Sequence, residues 1–345
     1  MAATIYDVAR RAGVTAATVS NVVRGKGSVG AQTRVRVERA IEDLDYRPNL
    51  VARGLAHRRS STLALLLPNI ANPFYPEIAL EVERIAGEQG YHLLLCNTRD
   101  DAVRGRAHLD SLSGRRVDGV LAMAGGVRLC DVRAVAARGL PVVLCNWVEV
   151  EHDPLFPGVD VDFRHGGELA ARHLLDLGHR RVAVVVQETA AGTHSPSHTC
   201  RLDGFRAALA AGAVALRDDE VCFGDGTLES GYRAARALIA RPGRPTALFV
   251  TNDIMALGAT EAALDAGLHV PGDLSVIGFD DIALGAHVRP TLTTIAIPKQ
   301  ELAARAMGIL LRRIEGDAMP TRLTLLPHLV ERRSTAAPTT PADAE

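Results

Sequence analysis

The chain has 345 residues, 47% hydrophobic and 23% charged, which excludes a disordered or fibrous protein and leaves room for more than one domain. Its net charge of −1 hides a division: residues 1–59 carry 11 Lys or Arg against five Asp or Glu, a net +6, so the remainder carries −7. A basic head on an acidic body is what a chain shows when only the head meets phosphates. No run of about 18 apolar residues occurs, and the start MAATIYDVARRAG puts charge where a signal peptide needs an apolar stretch, so a cytoplasmic location is expected. Five scattered cysteines without a C-x-x-C pair argue for reduced thiols, not a zinc module or disulfide framework.

In chain order, Thr4 and Asp7 have the spacing of a capping box, and Ile5, Val8, Ala9 and Ala12 follow at helical intervals. A first helix begins near Thr4 and stops at Gly13. After a Gly-Val turn, Thr15 caps a second helix with Val19, Val22 and Val23 on its apolar stripe. A third is expected from a cap near Thr33 to about Leu44, where Val35, Val37, Ala40, Ile41 and Leu44 close a three-helix core. The tight turn, the small residues Ala9 and Gly13, and the polar second helix fit a DNA-reading helix-turn-helix better than a generic helical hairpin.

The stretch TIYDVARRAGVTAATVSNVVRGKGSVGAQTRVRVERAIEDLDYRPNLVARGLA resembles the head and hinge of the lactose/galactose repressor (LacI/GalR) family, and the likeness continues to about residue 333. It implies a second helix that lies in the major groove and reads bases with Ala16, Ala17 and Asn21. Alanine offers only apolar contact, for example to a thymine methyl, whereas Asn21 can pair bidentately with adenine; the family often has Arg there. Thr15, Thr18, Ser20 and Arg24 are further candidates for bases or phosphates. Thr4, Tyr6, Thr15 and Asn49 match positions that touch the DNA backbone. The hinge NLVARGLAH can form a short helix, weakened at Gly54 by about 1 kcal/mol relative to Ala. By resemblance this helix folds on the operator and pairs with its twin in the minor groove, with Leu55 as wedge and Arg53 among the DNA contacts. A plain linker is the alternative.

The runs TLALLL, YHLLLC, DGVLAM, PVVLC, RVAVVV, ALFVT and LSVIGF are short, apolar and separated by helical or loop segments, as buried parallel strands are. Continuous apolar character means that both sheet faces are covered, so two doubly wound parallel sheets are expected, one closing near residue 160 and one starting near 180. Ligands of such sheets sit beyond the carboxyl ends of strands. Those ends carry NIANPFYP, Asn97-Thr98, Asn146-Trp147, Asn252-Asp253 and Asp280-Asp281, an amide- and carboxylate-rich set suited to hydroxyls, with Phe74, Tyr75 or Trp147 available to stack. Each alone could simply cap a helix.

TCRLDGF, TNDIMALGA, VIGFDDI and RPTLTTI resemble the effector-domain motifs of the same family. The resemblance implies effector contacts at Phe74, Asn146, Arg201, Asn252 and Asp280; where several members carry a stacking aromatic this chain has Gly226, so either the ligand is larger or Trp147 or Phe223 takes over. His194 and His198, four apart with Cys200 close by, are read as loop histidines beside the cleft, since Pro196 breaks the helix that would align them as metal ligands; no metal, cofactor or catalytic constellation is expected.

The expected organisation is an all-α helix-turn-helix head at 1–47, a hinge and linker at 48–59, and a two-lobed α/β body at 60–333 that is periplasmic-binding-protein-like by resemblance. One lobe takes about 60–160 plus 297–322, the other about 162–292 plus 323–333, with crossovers near 160, 291–298 and 321–325. A disordered tail is expected from Ser334. The family implies a nucleoid-associated repressor that binds double-stranded operator DNA as a homodimer, or a tetramer built from it, and is switched by a sugar-like small molecule. A transport solute-binding protein and a cleft enzyme are the other readings; the basic head and the lack of a catalytic motif speak against them.

Overall fold

A computed structural model of the chain describes residues 3–23, 27–47, 59–115, 117–147, 156–189, 195–317 and 322–339. It divides into a head, Met1–Ser61, and a body, Thr62–Glu345. In the head, α1 (Ile5–Ala12) starts at a reciprocal capping box in which Thr4 Oγ1 accepts from the Asp7 amide and Asp7 accepts from the Thr4 amide at 2.9 Å. Gly13 stops it in the left-handed region, at φ 65°. α2 (Ala16–Val23) opens with Thr15 Oγ1 accepting from the Thr18 amide at 3.2 Å. α3 (Ala31–Asp43) begins ahead of the expected cap at Thr33: Gly30 is its N-cap and gives no side-chain bond, so Thr33 lies inside the first turn. Val8, Val19 and Val37 are fully buried where the three helices meet. The hinge, with Asn49, Arg53 and Leu55, and also Arg24, lie outside the described residues.

The body holds two six-stranded sheets. The first contains β1 (Thr62–Leu67), β2 (His92–Asn97), β3 (Gly119–Met123), β4 (Val142–Cys145), β5 (Gly158–Val161) and β11 (Arg322–Leu325), in the order β11-β5-β4-β3-β1-β2, all parallel. The second contains β6 (Val182–Gln187), β7 (Val221–Gly224), β8 (Ala247–Val250), β9 (Ser275–Asp280), β10 (Thr293–Ala296) and β12 (His328–Val330), in the order β12-β10-β9-β8-β6-β7. Only β12 among these runs antiparallel to its neighbour. Helices α4 (Phe74–Glu88), α5 (Ala102–Arg115), α6 (Leu129–Ala136) and α11 (Lys299–Ile314) belong to the first lobe. The second has α7 (Phe163–Asp176), α8 (Pro196–Ala211), α9 (Leu228–Ile239) and α10 (Asp253–Asp265). All six residues of β9 are buried, as expected of a central strand covered on both faces.

Three expectations are corrected. Residues 293–296 and 322–325 are strands, so the crossovers narrow to Asp162, residues 297–298 and residues 326–327, and β11 joins the first lobe instead of the second. Four-residue strands such as RLTL and TTIA are too short to show a period, and their sheet neighbours decide them. The tail is ordered through residue 339: Ser334, 1% exposed, accepts from the Thr293 amide and donates to the Val276 carbonyl. Beyond it, the Ala336 carbonyl accepts from His179 Nε2 at 2.9 Å and Ser275 Oγ at 3.0 Å, and Thr335 meets His173 at 2.9 Å. Buried polar partners supply what the composition of the tail does not. Finally, Pro196 begins α8 instead of breaking a helix, because its missing N–H costs nothing at the first turn.

No helix among the described residues is long and apolar enough to cross a membrane, and none of their His, Cys, Asp and Glu side chains form a group able to hold a metal ion.

Candidate functional site

The carboxyl ends of β1, β3, β4, β6 and β9 face one another across a cleft in the body, lined by Phe74, Tyr75, Asp100, Asn146, Phe163, Gln187, His198, Arg201 and Asp280 among others. Arg201 is placed by a helix crossing. At Gly167 on α7 a Cβ would lie 1.9 Å from the Arg201 carbonyl oxygen, and at Gly204 on α8 it would lie 1.9 Å from that of Arg164. Only glycine at both positions lets the backbones approach this closely. The guanidinium then stacks over Phe279, 3.9 Å from the ring centroid, and faces Phe163 at 4.8 Å. It donates to the Thr251 carbonyl and lies 3.4 Å from Asp280 Oδ1.

Burial pushes the Asp280 carboxyl up to about 6, against the pull of Arg201 and Lys299. The backbone at Asp280 and Asp281 has φ 115° and 53°, a strained turn. Lys299 holds it from the other lobe: Nζ donates to the Asp280 carbonyl at 2.9 Å and to that of Asp281. Behind the site, the fully buried Asp253 accepts from Thr294 Oγ1 at 2.6 Å and from the Ile282 amide at 2.9 Å, and burial, then the Asp280 charge, raises its carboxyl well above the usual range.

Two buried polar atoms in the cleft wall have no hydrogen-bond partner: Arg201 Nε, a donor, and Asn146 Oδ1, an acceptor. A buried polar group left unpaired costs about 1–3 kcal/mol, and the two atoms could accept from and donate to a hydroxyl placed in the cleft. His198 is buried on α8, with Nδ1 3.0 Å from Thr251 Oγ1. Burial, then the charge of Arg201, holds its imidazole well below the usual value, so it is neutral near pH 7.

Of the body residues singled out from the sequence, Phe74, Asn146, Arg201 and Asp280 converge on this cleft. Trp147 does not. It faces the opposite side from Asn146, is 5% exposed, donates from Nε1 to the Ala122 carbonyl at 3.2 Å, and packs with Leu66, Val120 and Phe156. Asn252 also stands behind the wall: its Oδ1 caps α10 by accepting from the Met255 amide, and its Nδ2 donates to Gln187 Oε1 at 2.6 Å. Phe223 is half exposed on the edge strand β7 and does not line the cleft. A Cβ at Gly226 would meet the Gln187 side chain at 2.8 Å, so an amide occupies that corner. His198, read from the sequence as a cleft-side histidine, does line the cleft, on α8 and not on a loop; Asp100, Gln187 and Phe163 were missed, though Gln187 ends β6, so the strand-end rule could have found it.

On the head, Tyr6 is 70% exposed and Ala17 is exposed, while Ala16 packs partly against the helical core. Asn21 stands one turn beyond Ala17, on the same face of α2. Thr15 and Thr18 pair with each other at the start of α2, and Ser20 lies a turn further along. Thr4 is engaged in its capping box.

A helix-turn-helix on a two-lobed α/β body with a polar cleft defines a ligand-sensing DNA-binding regulator. The profile described as bacterial regulatory proteins, lacI family, matches residues 4–49, and that of a periplasmic binding protein-like domain matches 171–335. Catabolite control protein A of Priestia megaterium is 38% identical over 335 residues, covering 96% of this chain and 99% of that protein. The ribose operon repressor of Escherichia coli (strain K12) is also 38% identical over 335 residues, with the same coverage of both chains. The crystal structure of the lac repressor dimer bound to operator and the anti-inducer ONPF superposes with a TM-score of 0.84 at 29% identity, covering 98% of this chain and all of that one. The chain belongs to the LacI family of bacterial regulatory proteins.

Proposed function

We propose that this regulator is a cytoplasmic, non-enzymatic repressor that binds a two-fold operator as a homodimer and changes its DNA affinity when a small hydroxylated molecule occupies the body cleft. Ala17 and Asn21 read bases from α2; Tyr6, Thr15 and Thr18 contact the DNA backbone. The hinge carrying Asn49, Arg53 and Leu55 adds minor-groove contacts, as the sequence resemblance implies. In the cleft, Arg201 and Asp280 grip hydroxyls, Asn146 accepts from one, and Phe74 supplies an apolar wall. The observation that carries this reading is the pair of partnerless buried atoms, Arg201 Nε and Asn146 Oδ1, in a cleft at the carboxyl ends of strands. The names of the relatives support it: one represses a ribose operon, and another was crystallised on its operator with a small ligand.

Fluorescence anisotropy of the full chain on a DNA fragment selected from a random pool tests it, with monosaccharides, disaccharides and nucleobases added in turn. At least one should shift the DNA affinity by about 5–150-fold, the usual range of allosteric coupling. Arg201→Ala and Asp280→Ala should bind the fragment normally and lose that shift. A full shift in either variant removes that residue from the ligand site.

A further inference from the structure

The cleft contains a carboxylate that nothing in the described structure balances. Asp100 lines it three residues beyond β2, yet its side chain has no hydrogen bond and no ion pair among the described residues. On the same walls the single guanidinium, Arg201, is already committed to Asp280 and the Thr251 carbonyl. Tyr75 lies near both carboxylates: burial raises its phenol, and the charges of Asp100 and Asp280 raise it further. The cleft lining therefore holds two acids against one cation, and Lys299, paired with Glu77 behind Asp280, does not reach Asp100.

Hydrogen-bonding groups of both kinds are open in the cleft. Asp100 and Asn146 Oδ1 are free acceptors, and Asp280 is only partly used. Donors stand beside them: Arg201 Nε is buried without a partner, Asn146 Nδ2, Gln187 Nε2 and Arg201 Nη2 also have none among the described residues, and Tyr75 Oη and His198 Nε2 can serve either way, so hydroxyls are met from both sides and the unbalanced charge of Asp100 is what discriminates. A neutral polyol brings donors and acceptors in equal measure, and an anion brings acceptors only. An ammonium brings three donors, no acceptor and the missing positive charge. Burial without a neighbouring cation also raises the Asp100 carboxyl, a cost that a cation in the cleft would remove.

We propose, resting on the ligand site described above, that the effector is a polyhydroxylated primary amine, in class an amino sugar, with its ammonium on Asp100 and its hydroxyls on Arg201, Asp280 and Asn146.

The test is isothermal titration of the full chain with D-glucosamine, D-galactosamine and D-mannosamine, each beside its parent hexose, its N-acetyl derivative and the hexose 6-phosphate. At least one amine should bind ten-fold or more tightly than its parent, and acetylation, which removes the charge, should abolish the gain. Asp100→Asn, nearly the same size and breaking no bond, should collapse the amine-to-parent ratio to about one, with circular dichroism confirming the fold. Parents or phosphates that bind as tightly as the amines overturn the inference and leave the cleft assignment standing. So does a ratio that survives Asp100→Asn, and failure of all three amines to bind overturns the inference as well. Amine binding that Arg201→Ala leaves intact overturns the cleft assignment itself.

Discussion

Glu77 and Lys299 form an ion pair of 2.9 Å on the first lobe, and both also grip the second. Glu77 Oε1 accepts from the Ala283 amide at 2.8 Å while Lys299 Nζ holds the Asp280 and Asp281 carbonyls, so two side chains clamp the strained turn that presents Asp280 to the cleft. Both are largely buried, and hydrogen bonds to charged groups contribute about 1.5–3 kcal/mol each. Lys299→Met should lower stability by roughly 2–4 kcal/mol and weaken ligand response, whereas Glu77→Gln, which keeps an acceptor for Ala283, should cost about 1 kcal/mol. Urea unfolding of the two variants gives the order; equal midpoints would contradict the clamp.

Asp280 sets a pH dependence of defined sign. Its folded carboxyl titrates near 6, above the ordinary 3.8, so its contribution favours folding fully below about pH 3.8 and is lost as the pH rises through about 6. Relative to Asp280→Asn, the wild type should therefore lose on the order of 1–3 kcal/mol between pH 4.5 and 7. Denaturant titrations at the two pH values check this, and a constant difference would refute it.

The docked tail should carry stability that its composition conceals. Deleting residues 334–345 removes the buried bonds of Ser334, Thr335 and Ala336 and leaves His179, Ser275 and the Thr293 amide short of partners. A loss of roughly 2–4 kcal/mol follows, visible as a lower melting temperature. Burial also holds His173 and His179 below the usual 6.5, so their contribution is intact above that pH and is lost as the pH falls through it.

In the head, Asn21→Ala should cost about 1–3 kcal/mol at one operator position and relax its base preference, which a binding-site selection would reveal. Thr4→Ala removes the α1 cap bond and should cost about 1 kcal/mol of head stability without changing the preferred sequence.

How much of this was legible follows physical lines. The head was readable almost residue by residue because caps and stops are local: Thr4, Asp7, Gly13 and Thr15 act within one turn of where they stand. The seven apolar strands were equally plain. The cleft was half legible, since the strand-end rule names loop positions but not which way a side chain turns. Asn146 and Trp147 are neighbours, yet one faces the cleft and the other the core. Asp100 and His198 acquire meaning only from groups far away in sequence, and the tail is ordered by partners on β9 and β10 that its own residues cannot announce.

Gly204→Ala is the sharpest single test of how Arg201 is positioned. A methyl 1.9 Å from the Arg164 carbonyl forces α7 and α8 apart, and overpacking of this kind costs about 1–3 kcal/mol or more. Ligand affinity should fall with stability while DNA binding by the head persists. Unchanged ligand affinity in a folded variant would show that the crossing does not set the guanidinium.

The interleaving of the lobes bears on how the protein comes into being. The first lobe needs β11 and α11, near the end of the chain, to complete its sheet and cover it, and the second needs β12 and the segment after it. Neither lobe is one continuous stretch, so on the ribosome neither can close until nearly the whole chain has emerged. Among the described residues the head builds its core from its own three helices, which lie together early in the chain, so it is free to fold first. A nascent regulator thus has its DNA-reading end finished long before the part that senses its effector, and a chain cut short before α11 would retain a head with no working control.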